Sequence, residues 1–268
     1  MIENIYKDYG YDDVISDVPY MENSLKLYPI KVNEWKHFLN YTQYLMFSKK
    51  HYGIDKKTSF LQTIVSNFVL FYNDNIFPEG EELKLKLINK VLKEICDLFT
   101  IVCRESIIFD FSKELGYCFL NSNRELLISD KNFNHVRKII LQQNLLKEKK
   151  IYEDKLVQEW DEKASRAKAR KNPQLDICEI KNIVRCELSI SYEEINKLNI
   201  FQLYMDFYRI CNNRSVLSTD ILRSTYGINL DKLPNISYTD SVLLTLLNDP
   251  SEGNWKEQKD SNVYKAMN

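Results

Sequence analysis

The stretch from Asp130 to Lys171 constrains the fold of this chain more than any other part of the sequence. Asp130 is a candidate N-cap, because its side-chain oxygen can accept the orphan amide protons of a first helical turn. The helical pattern ends at Asn172–Pro173, since the residue before a proline avoids the helical region. We expect one long helix, or two helices nearly in line. Apolar residues recur at the spacing of a buried helical stripe and become sparser after Lys147: Phe133, Val136, Ile139, Ile140, Leu145, Ile151, Leu156, Val157 and Trp160.

The composition favours long helices around this stretch. Six glycines and six prolines among 268 residues are few for a β-sandwich, which needs many tight turns. Between residues 107 and 128 the apolar period shortens, and two of the three short β-type runs there flank a loop at 121–124. We therefore predict a mainly α protein, a multi-helix bundle with a small antiparallel β-hairpin or three-stranded insertion near 107–128.

Amphipathic patterns predict further helices on both sides of this region. They lie at Asn33–Lys49, Lys57–Asn73, Glu81–Arg104, Asp176–Leu188, 192–212 (one helix or a pair), Ser218–Tyr226 and Asp240–Leu247.

We expect four parts along the chain. They are an extended arm at 1–29, an N-terminal helical domain with the β element and the long helix at 30–172, a C-terminal helical part that packs back on it at 173–247, and a flexible tail at 248–268. The arm has room for one short helix, and it docks either on a neighbouring subunit or on the protein's own body.

No residue pattern predicts catalysis or metal binding. The net charge of −1 gives no global field for nucleic acid or membrane, and no apolar run reaches transmembrane length. No signal peptide is visible at the N-terminus. We expect a protein without enzymatic activity or cofactor, with reduced cysteines packed as small hydrophobic residues in a reducing cytosol. No cysteine forms a C-x-x-C pair or a zinc spacing with histidine: Cys96, Cys103, Cys118, Cys178, Cys186 and Cys211.

Two stretches allow both a binding role and a plain structural one. The basic run from Ala164 to Lys171 could touch nucleic acid phosphates, but it lacks interleaved aromatic residues and also suits a solvated helix end. The aromatic stripe of Phe201, Tyr204, Phe207 and Tyr208 could bind a partner, although a core helix needs the same spacing. Nucleic acid binding is the less favoured alternative.

Two segments resemble a family of tailed-phage proteins from AT-rich Gram-positive hosts. The resemblance extends over about residues 105–227, and Asn199 departs from the threonine that the family favours. In the first segment, 133–144, the matching positions are Phe133, Val136, Arg137, Ile139, Ile140, Gln143 and Asn144. In the second, 191–210, they are Ile195, Ile200, Gln202, Leu203, Phe207 and Arg209.

The resemblance implies a tail assembly chaperone or a minor tail-assembly protein. Its partner would be the tape measure, the unpolymerised tail tube or a neighbouring virion subunit, and a homo-oligomer is a further option. A structural virion subunit of a baseplate, connector or tail is the alternative, and a small nucleic-acid-binding or host-takeover protein is the third. The residues expected to contact a partner are Arg137, Gln143, Asn144, Phe201, Tyr204, Tyr208 and Arg209.

Overall fold

The computed structural model describes residues 9–46, 59–72, 80–147, 152, 154–171 and 175–226. Helices dominate this part of the chain, with two small antiparallel sheets, so the predicted mainly α class with a small β insertion is confirmed. The helices are α1 (Tyr11–Ile15), α2 (Trp35–Leu39), α3 (Thr42–Leu45), α4 (Phe60–Tyr72), α5 (Glu81–Cys103), α6 (Phe133–Gln143), α7 (Lys155–Lys171), α8 (Ile177–Leu188), α9 (Tyr192–Lys197) and α10 (Ile200–Tyr226). The strands are β1 (Tyr20–Glu22), β2 (Leu25–Leu27), β3 (Ile108–Ser112), β4 (Gly116–Leu120) and β5 (Leu126–Ser129).

The chain divides into two compact units. The first comprises residues 1–176 and 193–201, and the second comprises 177–192 and 202–268. Of the four parts expected from the sequence, the tail at 248–268 and the helix at Asp240–Leu247 lie outside the described residues.

The core of the first unit lies where α4, α5 and α6 meet the three-stranded sheet. Phe99 of α5 contacts Phe119 of β4 and Phe133 of α6 edge-on, with ring centroids 5.1 Å and 5.9 Å apart. All three rings are fully buried. Such aromatic contacts add to the gain from burial itself, so this cluster joins two helices and the sheet.

The three-stranded sheet has the order β3–β4–β5 with both pairs antiparallel. Asn121 shapes the loop before β5, because its side-chain oxygen accepts the amides of Asn123 and Glu125 at 3.0 Å and 2.9 Å. Phe119 and Ile128 lie opposite each other on the buried face. Phe119 of β4 and Ile128 of β5 thus form the buried face of the sheet, and β3 also contacts α5.

Within the second unit, α8 and α10 are joined by an ion pair between Glu187 and Arg214. The guanidinium of Arg185 lies 4.8 Å from the ring centroid of Tyr192. Helix α10 runs without a break through the predicted boundary at residue 212, so the separate helix expected at Ser218–Tyr226 is wrong. Of the two alternatives for 192–212, one helix or a pair, the structure has the pair, because α9 ends before α10 begins at Ile200.

The stretch from Asp130 to Lys171 forms two separate helices, α6 and α7. Asn144 caps the end of α6, its side-chain amide donating to the Ile140 carbonyl at 2.8 Å, and Leu145 has a left-handed φ of 54°. Asp130 is not the N-cap, because Asn132 holds that position. Asn33 is likewise replaced by Glu34 as the cap of α2, and the helix expected from there to Lys49 is broken into α2 and α3.

The cysteines fall into two groups. Cys96, Cys103 and Cys118 are buried, and burial raises the pKa of both Cys96 and Cys103 to about 12. Cys178 and Cys186 of α8 and Cys211 of α10 are exposed, so the expected packing is wrong for these three.

Candidate protein-binding surface

The first resemblance segment lies in α6 and its C-cap, and the polar residues that match the family pattern are buried. Arg137 is 1% exposed, and its guanidinium lies 4.5 Å from the ring centroid of Phe60. Gln143 donates to the Tyr9 hydroxyl at 2.8 Å and to the Leu27 carbonyl at 3.0 Å. Burial raises the pKa of Tyr9 to about 12, and the hydrogen bond from Gln143 offsets part of that rise. Arg137 and Gln143 therefore belong to the interior.

Asn144, at the end of the same segment, holds the chain that leads into α2. Its side-chain oxygen accepts the Ile30 amide at 3.0 Å. The Ile30 carbonyl in turn accepts the Ile200 amide at 3.0 Å, and the Val32 amide donates to the Leu198 carbonyl at 2.9 Å. Residues 30–32 are thus held between the end of α6 and the link from α9 to α10.

Asn199, in the second resemblance segment, also contacts the N-terminal residues. It is fully buried, and its side-chain amide donates to the Val14 carbonyl at 2.8 Å and to the Asp17 carboxylate at 3.2 Å. A threonine has a single hydroxyl proton, so it could not donate to both acceptors. The two segments, distant in sequence, therefore converge on residues 14–32. Those N-terminal residues pack on the protein's own body, one of the two options expected for the arm.

The aromatic residues of α10 divide between the two units. Phe201 is fully buried in the first unit and stacks on Tyr11 with ring centroids 5.6 Å apart. Tyr204, Tyr208 and Arg209 lie in the second unit and are partly exposed. Arg137, Gln143, Asn144 and Phe201 thus have observed contacts within the chain, and partner contact through the three partly exposed residues stays a prediction.

A different surface, on strand β3, has the features of a protein-binding site. β3 pairs with β4 on one side, and no other strand among the described residues pairs with it. Its first four residues are all exposed, Phe111 to 61% and Ile108 to 45%. We call the exposed apolar residues of β3 the β3 edge: Ile108, Phe109 and Phe111.

The open side of β3 also offers backbone groups. The Phe111 amide donates to the Asp110 carboxylate at 2.7 Å, so a side chain of the strand itself occupies that amide. Asp110 is the one charged residue within β3. Natural edge strands usually carry lysine, proline or bulges that prevent pairing with another chain. An exposed apolar edge strand with one acid is a ready template for an added strand.

The turn that presents this edge is fixed by a close contact between Gly116 and Asp130. Gly116 has a φ of +71°, and a Cβ built there would lie 2.0 Å from the Asp130 carboxylate, so only glycine fits. The Asp130 carboxylate accepts a hydrogen bond from Gln62 of α4 at 3.0 Å. Burial raises the pKa of Asp130, and hydrogen bonds from Ser59, the Tyr117 amide and Gln62 oppose that rise. The turn is thereby tied to the helical core.

The sequence predicted an apolar β-strand at β3, but it did not predict that the apolar side chains of this strand are exposed to solvent. The run Ile107 to Phe111 is as rich in apolar residues as a buried strand. The buried face of the sheet is formed instead by Phe119 of β4 and Ile128 of β5. Periodicity cannot say which strand of a small sheet lies at its edge.

The described part of the chain contains neither a candidate metal site nor a membrane-spanning helix. No group of three or more His, Cys, Asp and Glu residues there could hold a metal ion. None of the helices described combines the length and apolar character needed to cross a bilayer.

Comparisons with known proteins add a link to phage. A family model described as the second domain of YomV matches residues 168–233. The SPbeta prophage-derived uncharacterized protein YomV of Bacillus subtilis strain 168 is 30% identical over 118 residues, or 42% of this chain. That match covers 49% of YomV, so the chain spans about half the length of this curated relative. No solved structure matches the chain. The similarity is to a prophage protein, and neither match names tail assembly.

Proposed function

We propose that this chain is a bacteriophage protein without enzymatic activity, which binds an aggregation-prone partner during tail morphogenesis in the host cytoplasm. The observation that carries the proposal is the β3 edge, where Ile108, Phe109 and Phe111 are exposed on a strand with one open side. The similarity to a prophage protein and the phage-like segments support the phage context.

Strand addition is the binding mode that this surface favours. An extended segment of the partner would take up the backbone groups of the open edge, and it would displace Asp110 from the Phe111 amide. Apolar side chains of the partner would cover Phe111 and Ile108. Main-chain hydrogen bonds are largely independent of sequence, so such a site can hold unassembled tail-tube or tape-measure segments before they polymerise.

The test is coexpression with the tape-measure and tail-tube proteins of the same phage, followed by gel filtration with light scattering. We expect a soluble complex with one of them, which Phe111→Asp weakens at least tenfold because a carboxylate enters the apolar contact. Met21→Asp is the matched control, since Met21 on β1 has the same 61% exposure. Loss of the complex in both variants, or no complex at all, would contradict the proposal.

A second measurement separates a chaperone from a structural subunit of the virion. A chaperone is absent from finished particles, whereas a baseplate, connector or tail subunit is retained in them. Quantitative mass spectrometry of purified virions distinguishes these outcomes. Retention at a fixed stoichiometry would favour the structural alternative.

A further inference from the structure

Helix α7 carries an exposed stripe that changes in character along its length. Leu156 and Trp160, near its start, are 62% and 66% exposed. Ala164 and Ala167, near its end, are also exposed. At 3.6 residues per turn these four positions fall within an arc of about 80°. The stripe therefore has large apolar side chains at one end and small ones at the other.

The charges beside the stripe are segregated in the same direction. Glu159 lies next to the large end, and Arg166 lies on the same flank next to the small end. Both are exposed and form ion pairs within α7, Glu159 with Lys163 at 3.9 Å and Arg166 with Glu162 at 3.3 Å. Such surface pairs are weak, so they do not prevent new pairing.

We propose that α7 is a homodimerisation site, in which two copies of this chain pair their α7 helices antiparallel. In this arrangement Trp160 of one copy packs over Ala164 and Ala167 of the other, and a two-fold axis passes near residues 163 and 164. The two-fold symmetry forms each contact twice.

Charge complementarity selects the second copy as the occupant and the antiparallel direction. Antiparallel pairing brings Glu159 of each helix beside Arg166 of the other, on the same flank of the stripe. Parallel pairing would instead set Trp160 against Trp160, and it would place the Glu159 and Arg166 flanks of the two helices on opposite sides of the contact. Lys163, close to the axis, keeps its partner Glu159 and can extend its ammonium into solvent.

The helix is short, so we expect a weak dimer. Seventeen residues span about 25 Å, which gives less contact area than a standard interface. Sedimentation equilibrium of the full chain over about a hundredfold range of concentration is therefore the measurement. We expect reversible dimerisation, lost in Trp160→Glu and retained in Leu83→Glu, a control at an exposed apolar position of α5. A monomer at every concentration would overturn the proposal.

A charge swap tests the direction of the helices. Glu159→Arg and Arg166→Glu should each weaken the homodimer about tenfold or more, because each places like charges together twice. An equimolar mixture of the two variants should restore dimerisation, since both contacts then pair an arginine with a glutamate. A dimer that is unaffected by either variant, or a mixture that stays monomeric, would contradict antiparallel pairing through α7.

Nucleic acid is the other ligand that the basic end of α7 could bind. A chain that stays monomeric but shifts duplex DNA at low salt, with a shift lost in Arg166→Glu, would replace the proposal by a nucleic acid site. No DNA shift together with reversible dimerisation is the result that we expect.

Discussion

Helix α6 buries its apolar stripe, whereas α7 exposes the corresponding stripe to solvent. In α6, Phe133, Val136 and Ile140 are fully buried against neighbouring elements. In α7, Leu156 and Trp160 remain mostly exposed although they follow the same helical spacing. The difference teaches that amphipathic spacing predicts a helix but does not fix what covers its apolar face. A stripe left open within one chain can be covered by another.

The largest expected effect concerns the core of α6. Phe133→Ala should lower the free energy of unfolding by about 3–5 kcal/mol, because it leaves a cavity beside Phe99 and removes an aromatic contact. Chemical denaturation followed by circular dichroism measures the change. If this variant does not fold, Ile140→Val should still lose about 0.5–1.5 kcal/mol. Leu156→Ala in α7 is the control, and an equal loss there would remove the contrast between the helices.

The end of α6 gives the next effect. Asn144→Ala removes the acceptor of the Ile30 amide and the donor to the Ile140 carbonyl, both buried. We expect a loss of about 1–3 kcal/mol in denaturation, because a buried amide is left without its partner. Asn182→Ala, at an exposed position of α8, should change stability by less than about 0.5 kcal/mol. Amide hydrogen exchange should localise the Asn144→Ala effect to residues 27–32.

Asp130, just before α6, gives a smaller effect whose sign depends on pH. Burial raises the pKa of its carboxyl, so the folded protein holds the proton more tightly than the unfolded chain. The contribution of Asp130 to stability therefore falls as the pH rises from the unfolded pKa through the folded one. We expect the stability of the wild type relative to Asp130→Asn to be higher at pH 4 than at pH 7.

Asp110→Asn, at an exposed acid of β3, is the matched control for this measurement. Thermal unfolding of both variants and the wild type over the acidic range gives the comparison. If the stability of the wild type relative to Asp130→Asn instead increased with pH, folding would favour the charged carboxylate and the prediction would be wrong.

The smallest expected effect lies in α7. Trp160→Ala should change the free energy of unfolding by less than about 0.5 kcal/mol at concentrations where the protein is monomeric, because its side chain is 66% exposed. Chemical denaturation at low protein concentration checks this. A loss close to that of Phe133→Ala would mean that α7 packs on its own chain in solution.

Local patterns in the sequence were enough for the helical class and for most element positions. Glu81–Arg104 matches α5 to within one residue, and the three β runs match β3, β4 and β5 closely. The convergence of Gln143, Asn144 and Asn199 on residues 14–32 could not be predicted, because it joins positions more than a hundred residues apart. For Gln143 and Asn144 the family resemblance suggested partner contact instead.

The sequence by itself determined the helical periods, the change of period near residue 107 and the shortage of glycine and proline. These follow from local backbone preferences and side-chain spacing, which each segment carries alone. Only the tertiary structure decided that Arg137 and Asn144 are interior residues, that β3 is an edge strand with exposed apolar residues and that the apolar stripe of α7 is exposed. The physical reason is that burial and strand order depend on which neighbours a segment meets, and segments distant along the chain supply those neighbours.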